Sequence, residues 1–329
     1  MSTTVEVLGF ARGPGWLPWA VQYFFLIGIS TMAFFLSLPG LLWQRAGWAG
    51  LSRRALLAAL VCGLAAPVAL LADLHQPGRF LNFYLHTNFG SWMGWGSYFI
   101  PLYVGGLLAY AWSVLRGQRA GLKPAALAAG AGAVLVLVYT GMETMVVAAR
   151  PLWHSFLIPL LFAVTALAGA LAMTALFEAL AGRRDAAPII NGGQRLSQWA
   201  LLLIVAAWLA LAVAGPAPYA EALATIRGGW TAAWAWLILS AALTLWLARG
   251  SALLLPAVLA LQVAWLARWL VFMGGQSVPK LGATHTPQMA QMLTLTPDSL
   301  LGIVGTAGLC LFIYIVLTSL VCWDDPVQA

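Results

Sequence analysis

Long apolar runs, separated by short polar segments, dominate the pattern of hydrophobic and polar positions along the chain. Each run is close to the ~20 residues that an α-helix needs to cross the hydrocarbon core of a bilayer. Because lipid offers the backbone no hydrogen-bond partner, such runs are expected to be helical. The pattern predicts nine spanning helices, at residues 17–43, 55–72, 92–115, 124–148, 152–180, 196–215, 230–248, 252–273 and 298–322.

The composition agrees with this pattern. Of the 329 residues, 62% are apolar and only 8% are charged. So few charges cannot keep a protein of 35.0 kDa in water, which excludes soluble enzymes and soluble nucleic-acid-binding proteins. We therefore expect an all-α polytopic membrane protein, with residues 1–329 forming a single integral membrane domain in contact with the lipid bilayer.

Basic residues are distributed unevenly between the polar connections. Ten lie after the first, third, fifth and seventh runs, against five in the N-terminal tail and the other connections. Because Lys and Arg gather on the cytoplasmic side, we expect the N-terminus outside and the C-terminus in the cytoplasm, with the protein in the cell's inner (cytoplasmic) membrane. The net charge of +7 then reflects topology, and no nucleic-acid partner is expected.

Candidate metal ligands are few and scattered. The three cysteines have none of the close spacing that iron–sulfur clusters or zinc sites need. No histidine falls in the middle of an apolar run, where the axial ligands of a membrane haem would have to lie. We therefore expect no haem, no iron–sulfur cluster and no metal in this chain. The residues concerned are Cys62, Cys310, Cys322, His75, His86, His154 and His285.

Two outer connections are longer and more polar than simple turns. Residues 72–96 mix ionisable and amide side chains with aromatic ones, and residues 274–299 contain three prolines together with Lys280 and His285. We expect both to be ordered loops covered by another molecule, although polar composition is also typical of any exposed loop. The polar residues of the first loop are Asp73, His75, Gln76, Arg79, Asn82, His86 and Asn88.

Ionisable residues inside the apolar runs are rare, and each is costly in lipid unless it faces the interior of the helix bundle. In the fourth run, a continuous helix would place Tyr139, Glu143 and Arg150 within about 40° of one another on one face. Such a face could form a proton path or the wall of a polar pocket. The alternative is a purely structural role, in which the charges of Glu143 and Arg150 interact and hold helices together. A short turn after Arg150 should bring His154 close to it.

Two further polar residues lie within apolar runs. Gln22 could hydrogen-bond either a neighbouring helix or a ligand. Arg268, near the outer end of the eighth run, is expected to extend outward to water or to pair with a carboxylate.

Five stretches of the sequence carry a family resemblance. They are LPWAVQYFFLIGIS (17–30), ADLHQPGRFLNFY (72–84), SWMGWGSYFIPLY (91–103), YTGMETMVVAARPLWHSFLIPLLF (139–162) and RWLVFMGGQSVPK (268–280). The most specific parts are the loop that begins at Asp73, the S-W-M-x-W-G that follows it, and the A-R-P-L-W after the fourth run. Together these stretches resemble the NrfD-like family, the membrane subunits of polysulfide-reductase-type complexes, and the resemblance covers nearly the whole chain.

This resemblance implies a haem-free anchor that oxidises quinol, such as menaquinol, in anaerobic respiration. It implies two four-helix bundles plus one additional helix, with the first helix at 17–43, a first bundle region at 55–180 and a second at 196–322. The pocket would open on the outer face, against a four-cluster ferredoxin-like iron–sulfur subunit. That subunit would pass electrons to an extracytoplasmic molybdopterin catalytic subunit that reduces a sulfur compound.

The resemblance also implies which residues form the pocket. In the polysulfide-reductase member of the family, the quinone head group meets a polar residue and a histidine early in the first helix, together with a tyrosine that matches Tyr139. Here the histidine position falls on Tyr23 or, with one residue of slip, on Gln22, and either can hydrogen-bond a quinone carbonyl. Arg79 is also assigned to quinone binding. The chemistry of quinol oxidation, apart from the resemblance, favours a proton relay to water through Glu143, Asp73, His75 and His154. Tyr139 and Arg150 complete the expected set of catalytic residues.

A proton-coupled membrane transporter is the alternative function, with Glu143 and Arg268 on the transport pathway. The nine runs show no obvious repeated half, and the polar groups gather near one surface and not at the midplane. Both features favour the quinol-oxidising anchor. A structural assembly factor, the third class considered, would bind no quinone.

Overall fold

The computed structural model describes residues 15–74, 76–215, 219–220, 223, 229–277, 293–321 and 323. Within these residues the chain is helical and contains no strand, which confirms the predicted all-α membrane fold. The helices are α1 (Pro18–Leu41), α2 (Ala49–Asp73), α3 (Asn82–Leu85), α4 (Trp92–Leu115), α5 (Arg119–Met145), α6 (Leu157–Leu180), α7 (Ala187–Ala214), α8 (Thr231–Leu247), α9 (Leu254–Trp269) and α10 (Leu300–Leu320).

Eight helical segments in the described part of the chain are long and apolar enough to cross a membrane. One of them is α9 together with the π-helical turn Leu270–Gly274 that continues it. Helix α8 coincides with the run predicted at 230–248 but has only 17 residues. The protein is thus an integral multi-pass membrane protein, while the exact number of nine spans and their division into two bundles stay predictions.

Helix α7 begins earlier than the hydrophobic pattern predicted, at Ala187 and not at 196. Its first turns carry polar side chains that find partners on α6 and in the turn between α8 and α9. The Asn191 amide donates to the Gly250 carbonyl at 2.9 Å, and the Gln194 amide donates to the Ala168 carbonyl at 2.8 Å. A hydropathy pattern excludes such residues because it cannot anticipate partners supplied by tertiary packing.

Helix α5 ends earlier than predicted, and this corrects the proposed stripe on the fourth run. The helix stops at Met145, and the backbone then turns through short hydrogen bonds, including one from the Arg150 amide to the Val147 carbonyl at 3.0 Å. Proline at position 151 disfavours helical geometry at the residue before it. Tyr139 and Glu143 therefore share a helix, whereas the prediction that Arg150 continues the same face was wrong.

Helix α6 is central to the packing, since it contacts α1, α2, α5, α7 and α9. Helices α4 and α5 form a close pair in which glycines allow the two backbones to meet. A Cβ atom on Gly106 would lie 2.6 Å from the Ala129 amide nitrogen, and one on Gly132 would lie 2.6 Å from the Tyr103 Cα. Small residues at helix crossings are the usual means of close packing in membranes.

Arg268 is buried in the bundle and does not extend to water, contrary to the prediction. Its guanidinium donates to the Phe24 carbonyl at 2.8 Å, to the Thr165 hydroxyl at 2.8 Å, and to further carbonyls on α6 and α9. The ring of Phe162 packs against it. Backbone carbonyls of three helices thus take the place of the expected carboxylate partner, and Arg268 joins α1, α6 and α9 near one end of the bundle.

Candidate functional site

A cavity of about 400 Å³ lies where the start of α1, the end of α2, the first half of α4 and the end of α5 converge. The loop between α2 and α4 covers it with Phe80, Phe83 and Tyr84. Its volume falls within the usual range for small-molecule sites, and its lining is mostly apolar with a few polar groups, as such sites generally are. The polar lining groups are Tyr23, Asp73, Ser97, Tyr139 and Glu143.

Tyr23, Tyr139 and Glu143 form the polar centre of this cavity. All three are buried, and they lie close enough for their side chains to interact electrostatically. The Tyr23 hydroxyl and the Glu143 Oε2 atom have no hydrogen-bond partner among the described residues. A buried polar atom without a partner is costly, so these two atoms are suited to a ligand that supplies the missing hydrogen bonds.

Gly96 on α4 fixes where the ring of Tyr139 can lie. A Cβ atom at this position would overlap the Tyr139 ring at Cζ and Cε2 and would come within 2.8 Å of its hydroxyl. The tyrosine therefore packs directly against the α4 backbone at the cavity wall. Sequence reasoning did not assign a role to Gly96, although its place in the S-W-M-x-W-G stretch was the signal that could have identified it.

Asp73 links the cavity to the start of α1. Its Oδ1 atom accepts a hydrogen bond from the Leu17 amide at 2.9 Å, and its charge interacts with Glu143. The carboxylate thus stabilises the beginning of the helix that carries Tyr23, where a negative charge is favourable. Asp73 is half-buried and lines the same cavity as the buried Glu143.

Arg150 and His154 lie in the turn between α5 and α6, beside the cavity and not in its lining. The backbone joins them, since the His154 amide donates to the Arg150 carbonyl at 3.0 Å. The Arg150 guanidinium donates to the carbonyls of Gly275 and Gln276 at 3.3 Å, and partial burial lowers its pKa from the ordinary value. The exposed His154 ring contacts the Met145 carbonyl at the end of α5.

A network of hydrogen bonds holds the end of α9 against the start of α1. The Gln276 side chain both accepts from the Trp16 amide and donates to the Trp16 carbonyl, each at 3.0 Å. The Trp153 indole donates to the Val271 carbonyl at 2.6 Å and stacks on Trp16. These contacts fix the first turn of α1, and hence the position of Tyr23, from three sides.

The remaining predicted site residues fall elsewhere. Gln22 is turned away from the cavity and lines a groove on another side of α1. Arg79 is exposed in the covering loop and is not part of the lining. His75 and His285 lie outside the described residues. Of the two alternatives for the first helix, Tyr23 therefore lies beside Tyr139 and Gln22 does not.

In the described part of the chain, no three His, Cys, Asp or Glu side chains form a group that could hold a metal ion. The polar centre of the cavity instead consists of phenols and a carboxyl group, which donate and accept hydrogen bonds and exchange protons. This set suits a neutral organic molecule with oxygen atoms on a ring.

Comparison with known proteins identifies the family. The sequence profile described as "Polysulphide reductase, NrfD" matches residues 11–280, a segment that contains all the cavity residues. The chain belongs to the NrfD family.

A relative that aligns over nearly the whole chain is a tetrathionate reductase subunit from Salmonella typhimurium. The two sequences are 37% identical over 332 residues, which cover 95% of this chain and 94% of the relative. The sequence motifs predicted a resemblance to the NrfD family, which the profile match confirms, and to its tetrathionate reductase branch, with which the relative agrees.

Proposed function

We propose that this NrfD-family protein is the membrane anchor of a reductase complex and oxidises quinol in the cavity at the outer ends of α1, α2, α4 and α5. The observation that carries the proposal is the group formed by Tyr23, Tyr139 and Glu143, two of whose buried polar atoms lack a partner among the described residues. A quinol ring offers two hydroxyl groups, and its oxidised form offers two carbonyls. These oxygens complement the phenols and the carboxyl group of the cavity.

Oxidation of a quinol releases two electrons and two protons, and the residues present suit the proton transfer. Tyr23 or Tyr139 would hold one ring oxygen, and Glu143 would accept a proton from the quinol. Asp73 interacts with Glu143 and is half-buried at the cavity edge, so it would pass the proton outward. His75 and His154 are assigned to the last steps to external water, and Arg150 to the electrostatic environment of the exit.

The electrons would leave through a partner subunit. We propose that a four-cluster ferredoxin-like iron–sulfur subunit docks on the covering loop and passes the electrons to a molybdopterin subunit. The loop supports this role with exposed apolar side chains on its outer surface, including Leu85 and Phe89. Exposed patches of this kind are typical of protein interfaces. Similarity to a tetrathionate reductase subunit favours tetrathionate or a related sulfur compound as the final acceptor.

The cavity is proposed to face the outside of the inner membrane. Basic residues gather in the connections at the opposite ends of the helices, which favours a cytoplasmic location for those ends. Protons and electrons would then leave on the same side, so this step would not itself build a membrane potential.

Removing the subunit tests the proposal at the level of the whole protein. Complexes with and without this chain are supplied either with a short-chain menaquinol analogue or with a soluble artificial electron donor. Without the chain, reduction of tetrathionate should continue with the artificial donor and stop with the quinol. Quinol-dependent reduction that continues at the same rate without this chain would contradict the proposal.

A further inference from the structure

A second cavity lies on another side of α1, in a groove between α1, α6, α9 and α10. It has a volume of about 570 Å³. We infer that this groove binds an isoprenoid quinone, with the ring oxygens hydrogen-bonded to the amides of Gln22 and Gln262 and the tail along the apolar walls. It would be a second quinone site, separate from the cavity that contains Tyr139.

Two amide side chains in the groove each have one polar atom without a hydrogen-bond partner among the described residues. Gln22 is only 5% exposed, and its Nε2 atom has no hydrogen-bond partner there. The Oε1 atom of Gln262, on α9, likewise has none in the described part of the chain. An unsatisfied buried amide costs free energy comparable to a lost hydrogen bond, and in lipid no water is present to reduce that cost.

The two amides offer both hydrogen-bonding functions. Nitrogen and oxygen of a glutamine amide can exchange places by rotation, so each side chain can donate to a quinone carbonyl or accept from a quinol hydroxyl. The groove can therefore hold the oxidised and the reduced ring. Thr306 of α10 lines the groove as well, but its hydroxyl is bonded to the Gly302 carbonyl at 2.7 Å.

Depth in the membrane argues against a phospholipid head group as the ligand of these amides. Gln22 lies about 6 Å along α1 from its first residue, and Gln262 lies roughly 10 Å or more from either end of α9. A hydrocarbon core about 30 Å thick, centred on these helices, would include both positions and leave the phospholipid head groups beyond them. A neutral quinone ring on an isoprenoid tail can enter at this depth.

The lining of the groove also favours a neutral ligand. None of the described residues that line it is charged, so no cation is present among them to bind a phosphate group. Most of the wall consists of aliphatic and aromatic side chains, which suit a long hydrocarbon tail. The groove extends from Gln22 and Thr306 to Phe177 and Tyr314, whose rings pack together near the other end of α6.

Helix α10 leaves room for such a ligand because it packs loosely on the bundle. Of its 21 residues, only Gly302 and Thr306 are buried. Its main helix contacts are with α2 and α1. A ligand between α10 and the α6–α9 side would fill the space that these contacts leave open.

The inference relies on the proposed function only in taking quinone as a molecule that this protein meets in the membrane. Photolabelling tests it independently of turnover. The intact complex in membranes is exposed to an azido-naphthoquinone with a ten-carbon tail, and the labelled peptides are mapped. Labels are expected at two places, one on the α4 and α5 segments of the first cavity and one on the α9 and α10 segments of the groove.

Substitution of Gln262 tests whether the labelling depends on this particular groove. Gln262→Leu should lower labelling of α9 and α10 about fivefold, the effect of losing one hydrogen bond. It should leave labelling of the first cavity and quinol-dependent turnover unchanged. Tyr139→Phe should lower labelling of the first cavity and quinol-dependent turnover, and should leave labelling of the groove unchanged. A failure of the proposed function and a failure of this inference therefore give different results.

Competition on the unaltered protein decides the question even if Gln262→Leu fails to assemble. Unlabelled decyl-naphthoquinone should suppress groove labelling, whereas an equal excess of phosphatidylethanolamine should not. The inference is overturned if α9 and α10 remain unlabelled, if phospholipid displaces the probe equally well, or if an assembled Gln262→Leu protein labels at the normal level.

Discussion

At the scale of single residues, the site depends on one glycine as much as on its ionisable groups. Glu143 and Tyr139 supply the chemistry, but the ring of Tyr139 lies against the α4 backbone only because Gly96 has no side chain. A displacement of about 1 Å in a reacting group can cost about 100-fold in rate, so the position of this ring is itself a functional property.

We predict that Gly96→Ala moves the Tyr139 ring and lowers quinol-dependent turnover by roughly tenfold to 100-fold. Gly105→Ala is the matched control on the same helix, since a Cβ atom there meets nothing within 4 Å. It should leave turnover unchanged and stabilise the helix by up to about 1 kcal/mol. Steady-state assays of both assembled variants make the comparison, and equal rates would show that the ring position does not depend on Gly96.

The sequence was sufficient to select Tyr139, Glu143 and Asp73, because polar groups in or beside spanning helices are rare and costly. It could not decide between Tyr23 and Gln22. Adjacent residues of a helix point about 100° apart, and only the packing of the neighbouring helices determines which of them faces the cavity. The position of Arg150 was missed for a related reason, since the angular argument requires a helix that continues through it, and α5 ends at Met145.

At the scale of helices and loops, the beginning of α1 is held by contacts from distant parts of the chain. Asp73 at the end of α2 accepts from the Leu17 amide, and Gln276 beyond α9 bonds both the amide and the carbonyl of Trp16. These contacts position Tyr23 in the cavity wall. Asp73 therefore combines a structural contact with its proposed part in proton transfer, and the two can be separated by substitution.

We predict that Asp73→Asn keeps the fold and loses the proton path. Asparagine retains the oxygen that accepts from Leu17 but cannot exchange a proton, so assembly should be normal while quinol-dependent turnover falls by roughly tenfold or more. Asp73→Ala should additionally lower the free energy of unfolding by about 1 kcal/mol, measured by thermal unfolding of the complex. If Asp73→Asn oxidises quinol at the normal rate, Asp73 has only a structural role and does not transfer protons.

Hydrophobic runs predicted a helix at every position where the structure has a long one, because the length of each run matches the bilayer. They predicted helix ends less well. Helix α7 extends nine residues further towards its N-terminus than predicted, because Asn191 finds a partner in the turn between α8 and α9 and Gln194 finds one on α6. The predicted position of the Arg268 guanidinium was wrong for a similar reason, since carbonyls from three helices accept its hydrogen bonds.

For the molecule as a whole, the proposed function requires that the cavity opens outside the cytoplasm. A reporter that is active only in the cytoplasm should function when fused after Gly117 or Ala186, which follow α4 and α6. It should be inactive after Thr87, in the loop that covers the cavity. The opposite pattern would move the cavity, the covering loop and the proposed partner to the cytoplasmic side.

Tyr139 and Glu143 are proposed to take part in quinol oxidation, and the ratio of two reaction rates tests this role. Tyr139→Phe and Glu143→Gln are assayed with a menaquinol analogue and with a soluble artificial donor that bypasses this subunit. Tyr110→Phe serves as the control, because Tyr110 is a buried tyrosine of α4 outside the cavity lining. Assembly of the complex is measured for each variant.

We predict that both cavity variants assemble, that their quinol-dependent rate falls about 100-fold and that their rate with the artificial donor is unchanged. Tyr110→Phe should keep both rates. If the two cavity variants assemble and oxidise quinol at the normal rate, Tyr139 and Glu143 only hold helices together and quinol is oxidised elsewhere.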